Sequence, residues 1–126
     1  MEVFRHTRLI AEEDVAERRL CTLPLRRAVT LADCTSRRAL AWGVTAAIHS
    51  GQDYALTQAW AREFSSSAFD GVRYFVSHDP AQCLVGVALF GPAGSPRWPA
   101  GRSARIGSDL IREAESLFGL QVVPVP

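Results

Sequence analysis

Large apolar side chains recur every four residues at Leu56, Trp60 and Phe64, with Ala55, Ala59 and Ala61 between them, so the spacing predicts a helix whose stripe packs on a sheet. Asp53 can cap its start, the run Ser65 to Ser67 ends it, and Asp70 and Gly71 mark the turn that follows. From Val72 the period changes to two. Val72, Tyr74 and Val76 fall on one face of a strand, and Arg73, Phe75 and Ser77 on the other. Cys83 to Phe90 is apolar on both faces, which suits a central strand, and His78 to Gln82, with Pro80, is short enough for an antiparallel hairpin. A helix over two neighbouring strands is the expected organising unit.

The flanking segments are weaker in pattern. Glu2 to Arg8 can form a helical turn or two, and a short helix over Ala11 to Glu17 has Glu12, Glu13 and Asp14 where the helix dipole favours acidic groups. Leu20 to Leu25 reads as a strand that Pro24 pushes to an edge, with Val29 to Leu31 as its brief continuation. Thr35 or Ser36 can cap a short helix reaching Trp42 before Gly43, and Ala46 to Gly51 reads as a connection. After Gly91 the alternating glycines and prolines of residues 92–105 predict a surface loop, in which Arg97, Arg102 and Arg105 are solvated. Ile106, Leu110, Ala114 and Leu117 then predict a final helix, Gly119 its C-cap, and Leu120 to Val123 a last strand.

Composition changes this picture little. A chain of 126 residues with a formal net charge of +1 is expected to be one domain, and it has no basic field to draw in nucleic acid. No run is long enough to span a bilayer and no segment reads as a signal peptide, so the expected place is the cytoplasm, with no membrane partner. Cys21, Cys34 and Cys83 are odd in number and lack metal-ligand spacing, which points to buried thiols in a reducing compartment rather than a disulfide frame or a metal site. His6, His49 and His78 read as solvated loop residues on the same ground.

The phrases Asp53 to Ala61, Asp70 to Tyr74, Asp79 with Pro80, and Ala88 to Phe90 resemble, in order and spacing, the RES domain, a family named for an Arg, a Glu and a Ser. The resemblance runs from about Glu2 to Gly91. It implies an α/β (α+β) fold, a mixed or antiparallel sheet with flanking helices, related to ADP-ribosyltransferases. It also implies cleavage of NAD at the nicotinamide bond, with NAD as substrate rather than cofactor, and service as the toxin of a toxin–antitoxin pair whose partner is a helix-turn-helix antitoxin protein.

Cleaving that bond passes through an oxocarbenium-like centre, so a carboxylate is needed beside the developing positive charge and cationic donors on the diphosphate. Glu2-Val3-Phe4 resembles the family phrase that carries the Glu, which makes Glu2 the candidate carboxylate. The family's Ser position falls at Val76, and the nearest hydroxyl is Ser77, one residue later and on the opposite face of a strand. The family's Arg lies upstream of its Glu and matches none of the fourteen Arg residues, so a domain lacking the family's N-terminal segment is expected. Two readings stay open: an NAD-degrading toxin in its full-length form, and a catalytically inactive remnant or antitoxin-binding module. The acceptor, phosphate or water, and the oligomeric state are also open.

Overall fold

Pairing with partners far away in the chain, more than local pattern, sets where the strands of this α+β fold lie. The computed structural model describes residues 7–51, 54–92, 94 and 101–124. The chain divides into two compact units, Met1–Arg26 with Arg97–Pro126, and Arg27–Pro96.

The first unit is made from the two ends of the chain. Strand β1 (Leu9–Ala11) leads directly into α1 (Glu12–Ala16), whose first turn is Glu12, Glu13 and Asp14 as the charge pattern predicts. Strand β2 (Arg19–Thr22) stops before Pro24. It pairs antiparallel with β6 (Arg102–Arg105), where the sequence predicts a loop. No apolar alternation marks Arg102 to Arg105, and all four residues are exposed, so the strand is made by its ladder to β2 rather than by a buried face. Arg19 stands opposite Arg105, and its Nε donates to Ser103 Oγ at 2.7 Å.

Helix α4 (Ser108–Phe118) ends at Gly119, whose φ of 63° is left-handed and cheap only for glycine. Strand β7 (Gln121–Val123) then pairs parallel with β1. Ile10, Val15 and Leu120 form the core, and Ile111, Ala114 and Phe118 of α4 pack on it. The predicted stripe holds in part: Ile106 and Ala114 pack on the core, whereas Leu110 and Leu117 are exposed and Ile111 and Phe118 pack in their stead. Both sets satisfy a helical period, and packing on Ile10 and Leu120 decides between them.

The second unit holds the predicted organising pair of strands and one more. Its sheet runs β3 (Leu31–Asp33), β4 (Gly71–Phe75), β5 (Val85–Leu89), with β3 parallel and β5 antiparallel to β4. The sequence predicts Val29 to Leu31 as a continuation of β2; instead β3 belongs to this sheet. Strand β4, not β5, is central, and Val85 and Val87 are exposed because β5 is an edge among the described residues. A parallel pair needs a crossover. Here it comprises a 3-10 helix (Arg37–Trp42), one turn of α2 (Ala47–Ser50) and α3 (Tyr54–Ser66).

Ser36 caps the 3-10 helix by accepting the Arg38 N–H, and Gly43 closes it at φ 82°. The predicted cap Asp53 lies outside the described residues. Trp60 and Phe64 of α3 pack with Val72 around Cys34, Ala39 and Val44, with the two rings stacked at 5.4 Å. Such a ring pair adds about 0.5–1.5 kcal/mol beyond its burial. Leu56, predicted to share their stripe, is exposed; the half-buried face is Thr57, Trp60, Ala61 and Phe64, at i, i+3, i+4 and i+7. Cys34 is buried and Cys21 and Cys83 are exposed, so only one of the three thiols is placed as composition suggests.

Helix α3 ends in a Schellman arrangement, with the Phe69 N–H donating to the Phe64 carbonyl at 3.2 Å and Ala68 at φ 64°. A residue with a Cβ is strained there by about 1–2 kcal/mol. Ala68→Gly relieves that strain and costs part of it back through a freer unfolded chain, so the expected gain is roughly 0.5–1 kcal/mol. A urea melt of the variant beside the parent checks it, and an unchanged or lowered midpoint would refute it.

Candidate functional site

Parallel strands part company where their crossover begins, and a crevice opens at their carboxyl ends. In the second unit that point is the end of β3 against β4. The Cys34 N–H donates to the Arg73 carbonyl at 3.0 Å, and the next bond of a parallel ladder would run from the Phe75 N–H to the Cys34 carbonyl. An imidazole takes that place. The Phe75 N–H donates to His49 Nδ1 at 3.3 Å, and the ring also has a hydrogen bond to the Cys34 backbone. An imidazole accepting at Nδ1 carries its proton at Nε2, so it can accept from one strand and donate to the other.

His49 is thus a half-buried bridge, not the solvated loop residue predicted from its setting, and its ring meets Phe75 edge-on at 5.3 Å. Burial pushes its pKa below the ordinary imidazole value, and the bond with Cys34 acts in the opposite sense. Thr35, Thr45, His49, Phe75 and Gln82 line a crevice of about 180 Å³ here. That is below the roughly 300–1,000 Å³ of ordinary ligand pockets, so it admits a small group rather than a whole dinucleotide.

The signature phrases brace β4 along its length and the loop that follows it. Asp70 ties the start of β4 to the segment before β3: its carboxylate accepts the Thr30 N–H at 2.8 Å and Arg27 Nη1 at 3.1 Å. The Arg27 hydrogen bond, with the Thr30 N–H, holds the Asp70 carboxyl down at about 2. At Gly71 a Cβ would lie 2.4 Å from the Ala88 carbonyl oxygen, so β4 and β5 meet this closely only with glycine there. Arg73 donates to Asp33 at 3.2 Å and to the Thr35 hydroxyl. Thr35 also donates its N–H and hydroxyl to Asp33, and the hydroxyl bond leads the causes that lower the Asp33 pKa. The Tyr74 ring covers Gly86, where a Cβ would stand 2.8 Å from it.

Asp79 organises the loop between β4 and β5 by accepting the N–H groups of Ala81, Cys83 and Leu84, the last two at 2.7 Å. Those three bonds keep its carboxyl below the usual range, the Leu84 bond being the largest cause. Ser77 lies in this loop. Strand β4 ends at Phe75, Val76 is buried, and Ser77 is exposed at the start of the turn. Glu2, His6 and Arg97 lie outside the described residues. His78 is half-buried rather than solvated.

The bridging role of His49 could not be read from sequence, since it depends on β3 pairing with β4 across the crossover. The Arg73–Asp33 pair left a faint trace, a charge inside an otherwise apolar strand. Among the described residues no group of three or more His, Cys, Asp or Glu could hold a metal ion, and no helix is long and apolar enough to cross a membrane.

A group whose folded pKa is depressed gives stability that is present above its unfolded value and lost as pH falls through the folded one. For His49 the loss therefore begins near the unfolded value of about 6.5 and continues to lower pH. His49→Asn keeps an acceptor near the Nδ1 position and removes the titration. The expected result is that the parent loses stability between pH 7.5 and 5.5 by more than the variant does in paired urea melts. Equal losses would show that the bridge does not titrate with folding.

Comparison with known proteins adds one finding. A family model, the RES domain, matches residues 1–112. No curated protein and no solved structure matches the chain.

Proposed function

The chain belongs to the RES domain family, and from that premise we propose that it is a toxin-type NAD-degrading enzyme, a phosphorylase or glycohydrolase of the nicotinamide–ribose bond. The family match carries this reading. It runs through residues of both compact units, which supports taking residues 1–126 as one RES-like domain with an ADP-ribosyltransferase-like fold. NAD is the substrate, a helix-turn-helix antitoxin protein the partner, and the cytoplasm the place of action.

In this reading Glu2 supplies the carboxylate that stabilises the oxocarbenium-like centre as nicotinamide leaves, and phosphate or water then attacks the ribose carbon. Ser77 is the hydroxyl that assists them. It stands exposed on the turn after β4, where a substrate can reach it. The Asp79 bonds across the loop support a fixed turn beneath it.

One observation favours the second reading, an inactive remnant or antitoxin-binding module. Val76, at the family's Ser position, is 7% exposed and carries no hydroxyl. Nicotinamide release from NAD, followed with and without phosphate, separates the two. For an enzyme, Glu2→Gln should lower turnover by about a hundredfold or more and Ser77→Ala by at least roughly tenfold. A folded chain that releases no nicotinamide yet captures a helix-turn-helix antitoxin protein would establish the second reading.

A further inference from the structure

Every residue of the β2–β6 ribbon is exposed, Leu20 included at 55%. A two-stranded ribbon with no buried face is marginal in water, and neither strand has a second neighbour among the described residues. Its charges add to the cost. Arg19 stands directly opposite Arg105, and like charges facing each other across a ladder are destabilising. Ser103 holds Arg19, whereas Arg102 and Arg105 form no side-chain hydrogen bond or ion pair with any described residue. By contrast Arg27, Arg73 and Arg112 are each paired with an aspartate. The ribbon thus combines open main-chain edges with two uncommitted guanidiniums, one on each face, because residues 102 and 105 fall on opposite sides of the pleat.

We propose that the free edge of β6 is a docking site for an acidic, extended segment of a partner protein, which adds as a third strand and sets one carboxylate opposite Arg105 and another opposite Arg102. The edge selects a polypeptide, since a peptide backbone pairs with its unpaired N–H and C=O groups. The charges select an acidic one. A second copy joined through β6 would set arginine beside arginine, and a nucleic acid would meet the guanidiniums but leave the edge unpaired. A carboxylate at Arg105 also offsets its repulsion with Arg19. The register fixes the spacing: the residues facing 105 and 102 are three apart in the incoming strand, and an apolar side chain facing Ala104 reaches across that small residue toward Leu20. The site does not rest on NAD cleavage.

The test is titration of the full chain with labelled peptides of Val and Thr that carry two Glu three positions apart, read by fluorescence anisotropy. Saturable binding is expected, weakened about tenfold by Gln in place of both Glu and lost when a Pro-Pro pair interrupts the centre of the peptide. The double variant Arg102→Gln, Arg105→Gln should weaken the acidic peptide about tenfold and leave the Gln peptide unchanged. Both side chains are exposed, so the variant is expected to keep the parent's circular dichroism. Bound peptide should also slow amide hydrogen exchange in β6. No binding at millimolar concentration, equal binding of the Glu and Gln peptides, or slowed exchange that spares β6 would each overturn the proposal. So would an oligonucleotide of equal charge binding as tightly as the peptide. NAD cleavage without peptide binding would overturn it while leaving the proposed function intact.

Discussion

The parallel pairing of β3 with β4 is the constraint on which the second unit depends. Antiparallel neighbours can be joined by a tight turn, as β4 and β5 are, but a parallel neighbour must be reached by a crossover. The 3-10 helix, α2 and α3 are that crossover. Their apolar residues Ala39, Val44, Trp60 and Phe64 are buried or half-buried in one cluster with Cys34 and Val72. The same pairing creates the crevice, because β3 turns away one residue after Asp33 while β4 runs on to Phe75. His49 fills the gap in the ladder with a side chain, so a fold requirement becomes a titratable feature at the end of the sheet.

The family phrases acquire physical meaning from that geometry. Asp70 anchors the entrance of β4, Gly71 allows the backbone of β5 to approach, Arg73 closes an ion pair with β3, Tyr74 covers Gly86, and Asp79 gathers three amides of the following loop. Each of these side chains is engaged with the protein itself. Of these, Asp79 shapes the loop on which Ser77 stands. The family phrases between residues 70 and 80 therefore act in the structure as framework, bracing β4 and the loop after it.

The first unit follows a different logic. Its strands β1 and β7 come from opposite ends of the chain and pair in parallel, and its β2–β6 ladder joins segments separated by the whole of the second unit. Little apolar surface is buried by β2 and β6, and the Arg19 bond to Ser103 is one of the few side-chain ties across them. The buried centre lies instead under α1 and α4, on Ile10, Val15 and Leu120.

By itself the sequence determined the local elements and their ends: α3 stopping in the serines, the β4–β5 hairpin, the Ser36 cap, Gly43 and Gly119 as left-handed stops, and the family that the motif order identifies. These follow from periodicity and from backbone preferences that act over a few residues. The tertiary structure alone decided which face of α3 and α4 is buried, since Leu56 and Leu110 fit a helical stripe as well as Thr57 and Ile111 do. It alone made a strand of Arg102 to Arg105, placed β3 beside β4 and put His49 between them. Each of these is a pairing between residues distant in sequence, and no local pattern encodes the identity of a distant partner.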